Sequence, residues 1–406
     1  MTDTPVAGRS DPSRFDYDPS TIRVGDDCVA GLGAELAVRG ADSALVVTGS
    51  TVGETPAVIE PVRSGLGDRL AGVFAGTTPA KRLGTAVDAL AAFERCGADA
   101  VVGVGGGSSL DVAKLVAVLA ASDREPAAIG TELVATGTVT VPDDGLPPIL
   151  AVPTTLAGAD LSQVAGVTAE PETCPVDEPA SGGISHPDLM PAAVCYDPAL
   201  FATTPRGVLA GSAMNGFDKG VETLYAGAAT PVTDATAARG LSLLRDGLLA
   251  LGDGRGDDET YRALAEGVLL AQYGVSRADG TTLSLLHAFG HGVARTYGVQ
   301  QGVAHAVVAP HALRLLFDRV DGRRRLLSEA LGAGDADDPA AAVVDRVADV
   351  ATALDLPARL RDVDGPTREE FPSVARAVLD DPFLANAPAG FDPTVDDIVA
   401  VLEEAW

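Results

Sequence analysis

Four of the five histidines in this 406-residue chain fall between residues 287 and 311, and His287 and His291 stand four apart, which puts both imidazoles on one face of a helix. Imidazoles so placed can bind a metal ion, move protons near neutral pH, or satisfy hydrogen bonds inside a helical core. A second chemical feature lies upstream, in the run VVGVGGGSSLDVAK (101–114), which reads as a valine-rich strand, a glycine turn and a helix start. Gly105, Gly106 and Gly107 let the backbone come close to a pyrophosphate, and the first amides of the helix offer free N–H donors and the positive end of its dipole. Ser108 or Ser109 can cap that helix. The spacing departs from the usual dinucleotide fingerprint, because Ser108 stands where a third glycine would follow Gly103 and Gly105. A plain tight strand-to-helix turn is the alternative reading.

The elements that must position these residues alternate between two periods. Apolar runs at 44–50, 70–76, 99–107 and 147–155 are separated by stretches of helical spacing such as Val58, Val62, Leu66 and Leu70. This pattern predicts a Rossmann-like parallel sheet with right-handed crossovers, whose ligands bind off the carboxyl ends of the strands. Residues 1–20 read as a mobile arm or an edge strand, and 169–187 as a loop excursion. From about residue 205 the period is helical throughout, predicting helices over 206–226, 231–251, 258–275, 280–296, 304–319, 323–332, 338–354 and 394–405 with no strand between them. The expected division is an α/β nucleotide-binding domain (1–204) followed by an all-helical catalytic domain (205–406).

Composition limits the partners. Fifty-seven acidic residues against 29 basic ones give a net charge of −28, which argues against nucleic acid and anionic membranes. Only Lys81, Lys114 and Lys219 are lysines, all other basic residues being arginine. This balance suggests the cytoplasm of a salt-loving organism, an acidic surface in an ordinary cell being the alternative. The four cysteines include no CxxC pair, and neither a signal peptide nor a long apolar span is evident, so a cytoplasmic location is expected.

GGGSSLDVAK (105–114) resembles the signature of the iron-containing (group III) alcohol dehydrogenases, which have the dehydroquinate synthase-like fold. VPTTLAGADLSQVAGVT (152–168), VCYDPALFATTP (194–205), SAMNGFDKGVETLYA (212–226) and HAFGHGVARTYGVQQGVAHAVVAPHAL (287–313) resemble further blocks of that family, in order and over nearly the whole chain. The resemblance implies hydride transfer between a nicotinamide and a small polar carbonyl or alcohol, by a homo-oligomer such as a dimer. It also implies a nucleotide site at Gly49, Gly105, Gly106, Gly107, Ser108, Asp111, Lys114, Thr154 and Thr155. Its metal positions fall at Asn215, Lys219, His287 and Gln301, of which only His287 keeps its ligand type. An amide is a poor replacement for a carboxylate and an ammonium repels a dication, so loss of the metal is the economical reading. A rearranged site from Asp218, Glu222 and His305 is the alternative. The metal-independent maleylacetate reductases are the nearest resemblance within the family, although they usually keep histidines at the places of Lys219 and Gln301.

On this reading the Lys219 ammonium replaces the charge of the ion, His291 donates the proton to the developing alkoxide, and His287 orients substrate or relays the proton. The alternative for Lys219 is a salt bridge with Asp218 or Glu222. NAD-preferring members of the family carry an acidic residue at the place of Gly49. Here Gly49, Ser50 and Thr51 leave room for a 2′-phosphate, so NADP is tolerated as well as NAD. A cyclising lyase of the dehydroquinate synthase kind, or a silent nucleotide-binding paralogue, are the competing functions.

Overall fold

The valine-rich runs are buried on both faces, as strands of a helix-covered parallel sheet must be. In the computed structural model, which describes residues 14–18, 20–143, 145–173 and 176–406, the chain lays down β1 (Thr21–Val24), β2 (Ala44–Gly49), β3 (Leu70–Thr77), β4 (Ala100–Gly105), β5 (Ile149–Pro153), β6 (Val164–Ala169), β7 (Ala180–Ser185) and β8 (Ala193–Tyr196). Six of these form one sheet in the order β1-β8-β5-β4-β2-β3, every pair parallel. The helices α1 (Leu32–Val38), α2 (Ser50–Gly53), α3 (Pro56–Leu66), α4 (Leu83–Cys96), α5 (Gly107–Ala120) and α6 (Pro126–Thr136) connect them.

The chain runs outward from β2 to β3, then returns to place β4 on the other side of β2. At such a reversal the two following loops diverge and leave a crevice at the carboxyl edge. Gly49 and Gly105, the last residues of β2 and β4, lie on that edge.

Segment 169–187, expected as a loop excursion, is one only in part. Its second half is β7, paired antiparallel with β6 from Val164↔Ser185 to Ala169↔Ala180. The strand ASGGIS carries almost no apolar alternation, so its pairing is invisible to periodicity. The expectation for residues 1–20 bears mainly on residues 1–13 and 19, which lie outside the described residues, and the edge strand itself begins at Thr21.

After the short α7 (Pro198–Ala202) come α8 (Arg206–Tyr225), α9 (Pro231–Gly252), α10 (Asp258–Gln272), α11 (Leu285–Tyr297), α12 (Gln301–Arg319), α13 (Arg324–Ala330), α14 (Pro339–Ala353), α15 (Phe371–Leu379) and α16 (Val395–Glu404). The expectation of no strand in this half is corrected by a two-by-two hairpin, β9 (Ser276–Arg277) with β10 (Gly280–Thr281), which also moves the start of α11 from 280 to Leu285. Strands of two residues have no period to read. Arg277 anchors the hairpin, donating to the carbonyls of Gly274 and Ala228. One apolar core runs through the helical region and takes in Leu110 of α5, Leu156 and Tyr196, so the crevice of the sheet abuts the helices.

Candidate active site

The glycine turn opens at the sheet crevice. Gly105 closes β4 with φ +131°, a conformation that L side chains rarely adopt. Gly106 is the N-cap of α5, and no side chain caps the helix, contrary to the role expected of Ser108 or Ser109. Ser109 is instead buried and shares a 2.7 Å hydroxyl hydrogen bond with Thr77 at the end of β3. Gly106, Gly107 and Ser108 keep partial exposure while the rest of α5 up to Leu119 is buried.

A β-carbon on Gly106 would stand 3.2 Å from Cγ2 of Thr155, and one on Gly107 would stand 3.3 Å from Cβ of Ala159. Thr154 is held by its amide on Gly105 O and by its carbonyl, which accepts from Thr204 Oγ1. At Gly49 a β-carbon would stand 3.4 Å from the Thr77 carbonyl oxygen, so glycine leaves that side of the crevice open. These residues form a cradle of backbone and small side chains in front of a helix N-terminus, which fits a dinucleotide pyrophosphate.

Two of the expected nucleotide contacts are placed elsewhere. Lys114 is 0% exposed, and its Nζ donates to the carbonyls of Ala159 (3.1 Å), Ser162 (2.6 Å) and Val164 (3.0 Å). With its three N–H groups spent inside the protein, it does not face a cofactor. Asp111 is likewise engaged: its Oδ2 lies 2.6 Å from Lys81 Nζ and accepts from the Gly166 amide at 3.2 Å.

Helix α8 brings the second half of the site against the loop after β5. Gly216 permits this approach, since a β-carbon there would lie 2.1 Å from the carbonyl oxygen of Leu156. On either side of it, Asn215 Nδ2 donates to Ala157 O at 3.0 Å, and Lys219 Nζ donates to Gly158 O. Lys219 therefore pairs with neither Asp218 nor Glu222. Burial pushes its pKa down to about 8, against the pull of Asp160, Asp111 and Glu222.

The carboxylates of α8 engage histidines instead. Glu222, fully buried, accepts the backbone N–H of His287 at 3.0 Å with Oε1 and meets its Nδ1 at 2.5 Å with Oε2. Burial pushes Glu222 up to about 7 and drives His287 well below its usual value. A neutral imidazole donating from Nδ1 presents a bare Nε2 lone pair, and that atom is buried with no protein partner. Asp218 sits 3.1 Å from His305 Nδ1 without hydrogen-bond geometry, and the His305 ring lies 4.7 Å from that of His287.

His291 stands at the rim, 6.5 Å ring to ring from His287, with its Nδ1 2.8 Å from Asp381 Oδ2. Its pKa is lowered by burial, an effect that Asp381 opposes. Phe383 flanks both rings at 5.2 and 6.4 Å. Asp381 and Phe383 come from a turn more than 80 residues further on, and nothing in their local sequence signals the histidines. Glu222 was legible as a member of a rearranged metal set or as a salt-bridge partner of Lys219, and not as the holder of His287.

The four positions assigned to metal by the family resemblance do not fit a divalent cation. Asn215 spends its amide on a carbonyl, Lys219 brings a positive charge, and Gln301 offers a second neutral amide, which leaves His287 Nε2 as the one strong ligand atom. Among the described residues, no group of three or more His, Cys, Asp and Glu side chains is arranged to hold a metal ion.

A model of the iron-containing alcohol dehydrogenase family matches residues 19–198, and one of the C-terminal part of the Fe-containing alcohol dehydrogenase family matches residues 209–406. The chain is 28% identical over 403 residues to a maleylacetate reductase of Pseudomonas aeruginosa, covering 96% of this chain and 97% of that protein. It is 26% identical over 391 residues to the lactaldehyde reductase of Escherichia coli (strain K12), covering 95% and 98%. The solved sulfoacetaldehyde reductase of Bifidobacterium kashiwanohense, in complex with NAD+, shares the fold with a TM-score of 0.82 at 20% identity, covering 97% of this chain and 99% of that one.

Proposed function

We propose that this chain, which belongs to the iron-containing alcohol dehydrogenase family, works without the family's metal and uses Lys219 in its place. It is an NAD(P)-dependent oxidoreductase acting on a small molecule. When bound in the glycine cradle, the nicotinamide supplies or takes up the hydride. Every other task falls to side chains. The Lys219 ammonium, fixed on Gly158 O, holds the substrate carbonyl oxygen and stabilises the negative charge that grows on it. His291, oriented by Asp381, exchanges the proton with the alkoxide, and His287 Nε2 accepts a hydrogen bond from substrate or relays that proton. The substrate is a small polar carbonyl or alcohol, with a keto acid among the candidates because the ammonium can also receive a carboxylate. NADP is accepted beside NAD because Gly49 leaves the ribose side open. An acidic surface suits a salt-rich cytoplasm, and no helix among the described residues is long and apolar enough to cross a membrane.

The observation that carries this reading is the position of Lys219: a buried ammonium on the loop that also lines the nucleotide cradle. Elemental analysis and chelation test it. The expected result is no stoichiometric iron or zinc and full turnover in EDTA. About one metal ion per chain, with activity lost on chelation and restored by metal, overturns it.

A further inference from the structure

The chain keeps three lysines among 29 basic residues, and all three meet one stretch, 157–168. Lys219 holds its Gly158 carbonyl. Lys81 and the Gly166 amide share Oδ2 of Asp111. Lys114 is enclosed by the carbonyls of Ala159, Ser162 and Val164. An arginine cannot replace it there, because three converging carbonyls require a compact three-donor group and a planar fork does not offer one. A buried charge is also an expensive way to fill space, and apolar packing would be cheaper.

The stretch so held faces two ways. Thr155, just before it, and Ala159 line the glycine cradle at Gly106 and Gly107. The carbonyls of Ala157 and Gly158, between those residues, receive Asn215 and Lys219 of α8. Within it, Asp160 accepts from Tyr196 and Gln272, tying the same turn to β8 and α10. Any shift of this turn changes the place of the Lys219 ammonium relative to the nucleotide.

We infer that Lys114 is a positioning residue, whose ammonium clamps residues 159–164 so that Gly158 holds Lys219 in register with the glycine cradle. This rests on the reading that Lys219 is the charge acting on the substrate oxygen. The clamp places the charged group without touching cofactor or substrate.

Steady-state kinetics and nucleotide titration on Lys114→Met, Lys114→Gln, Lys219→Met and the double variant Lys114→Met/Lys219→Met test it. Lys114→Met is expected to lose kcat by roughly 10- to 100-fold while nucleotide Kd stays within about 3-fold, and to add little to the loss in Lys219→Met, since one residue acts through the other. Lys114→Gln, which keeps two N–H donors, should recover part of kcat. Nucleotide affinity falling in step with kcat would return Lys114 to the cofactor, and losses that multiply in the double variant would make the two lysines independent. Either result overturns the inference, as does failure of both single Lys114 variants to fold, which would make the clamp a matter of stability alone. Near-native turnover in Lys219→Met would instead overturn the parent reading.

Discussion

Glu222 holds His287 at two points, taking the backbone N–H on one carboxylate oxygen and the ring Nδ1 on the other, so the imidazole's tautomer and its orientation are set together from the neighbouring helix. The carboxylate and the ring are both buried, and water cannot substitute for either contact. A histidine held this way presents Nε2 to the site as an acceptor.

Glu222→Gln should therefore lower turnover by roughly 10- to 100-fold with little change in nucleotide affinity, because the amide can donate to Nδ1 and invert the tautomer. Comparing kcat with nucleotide Kd checks this. Unchanged kcat would leave Glu222 as packing only.

The pH profile should be a narrow bell. Glu222, pushed up to about 7, takes a proton as pH falls through that value and releases Nδ1 from its donor role. Lys219, pushed down to about 8, is charged below that pH and loses the ammonium as pH rises through it. The acid limb should disappear in Glu222→Gln. A flat kcat/KM from pH 6 to pH 9 would contradict both assignments.

At the cradle, Gly106→Val should abolish nucleotide binding and leave the helical half folded. The N-cap backbone is ordinary extended chain, at φ −83°, so the side chain is tolerated conformationally but fills the space before Thr155. Fluorescence titration reads the affinity and circular dichroism the fold. Unchanged affinity would reduce the turn to a packing device.

Much of this was legible in the residues themselves. The glycine turn, the helical face of His287 and His291, and the isolation of Lys219 among arginines are local patterns. The partners were not: Asp381 and Phe383 reach the histidines from beyond α15, and Asp160 reaches Tyr196 and Gln272 across two elements. Lys114 misled for a different reason. Its motif marks the helix that carries the cradle, but at the helix N-terminus only residues 106–108 keep partial exposure, and the packed structure shows the ammonium enclosed further along the helix. The strand β7 and the hairpin of β9 and β10 were missed because small residues and two-residue strands carry no period.

Asp381→Asn should slow carbonyl reduction by roughly tenfold, since the carboxylate is what favours the charged form of His291 against burial. Turnover at fixed saturating nucleotide, measured in both directions, checks this. An equal loss of KM and kcat in thermally weakened protein would assign Asp381 to holding the turn at Phe383.

The most direct measurement is the turnover of Lys219→Met, beside Lys219→Arg, in metal-free buffer at pH 7.5. Methionine has similar length and helix propensity, so the fold should persist, while kcat falls by roughly 10² or more as the charge on the substrate oxygen is lost. Arginine should rescue poorly, because a planar fork does not take the place of a point charge on Gly158 O. Near-native turnover in Lys219→Met would contradict the account and leave the lysine as a structural tie between α8 and the loop.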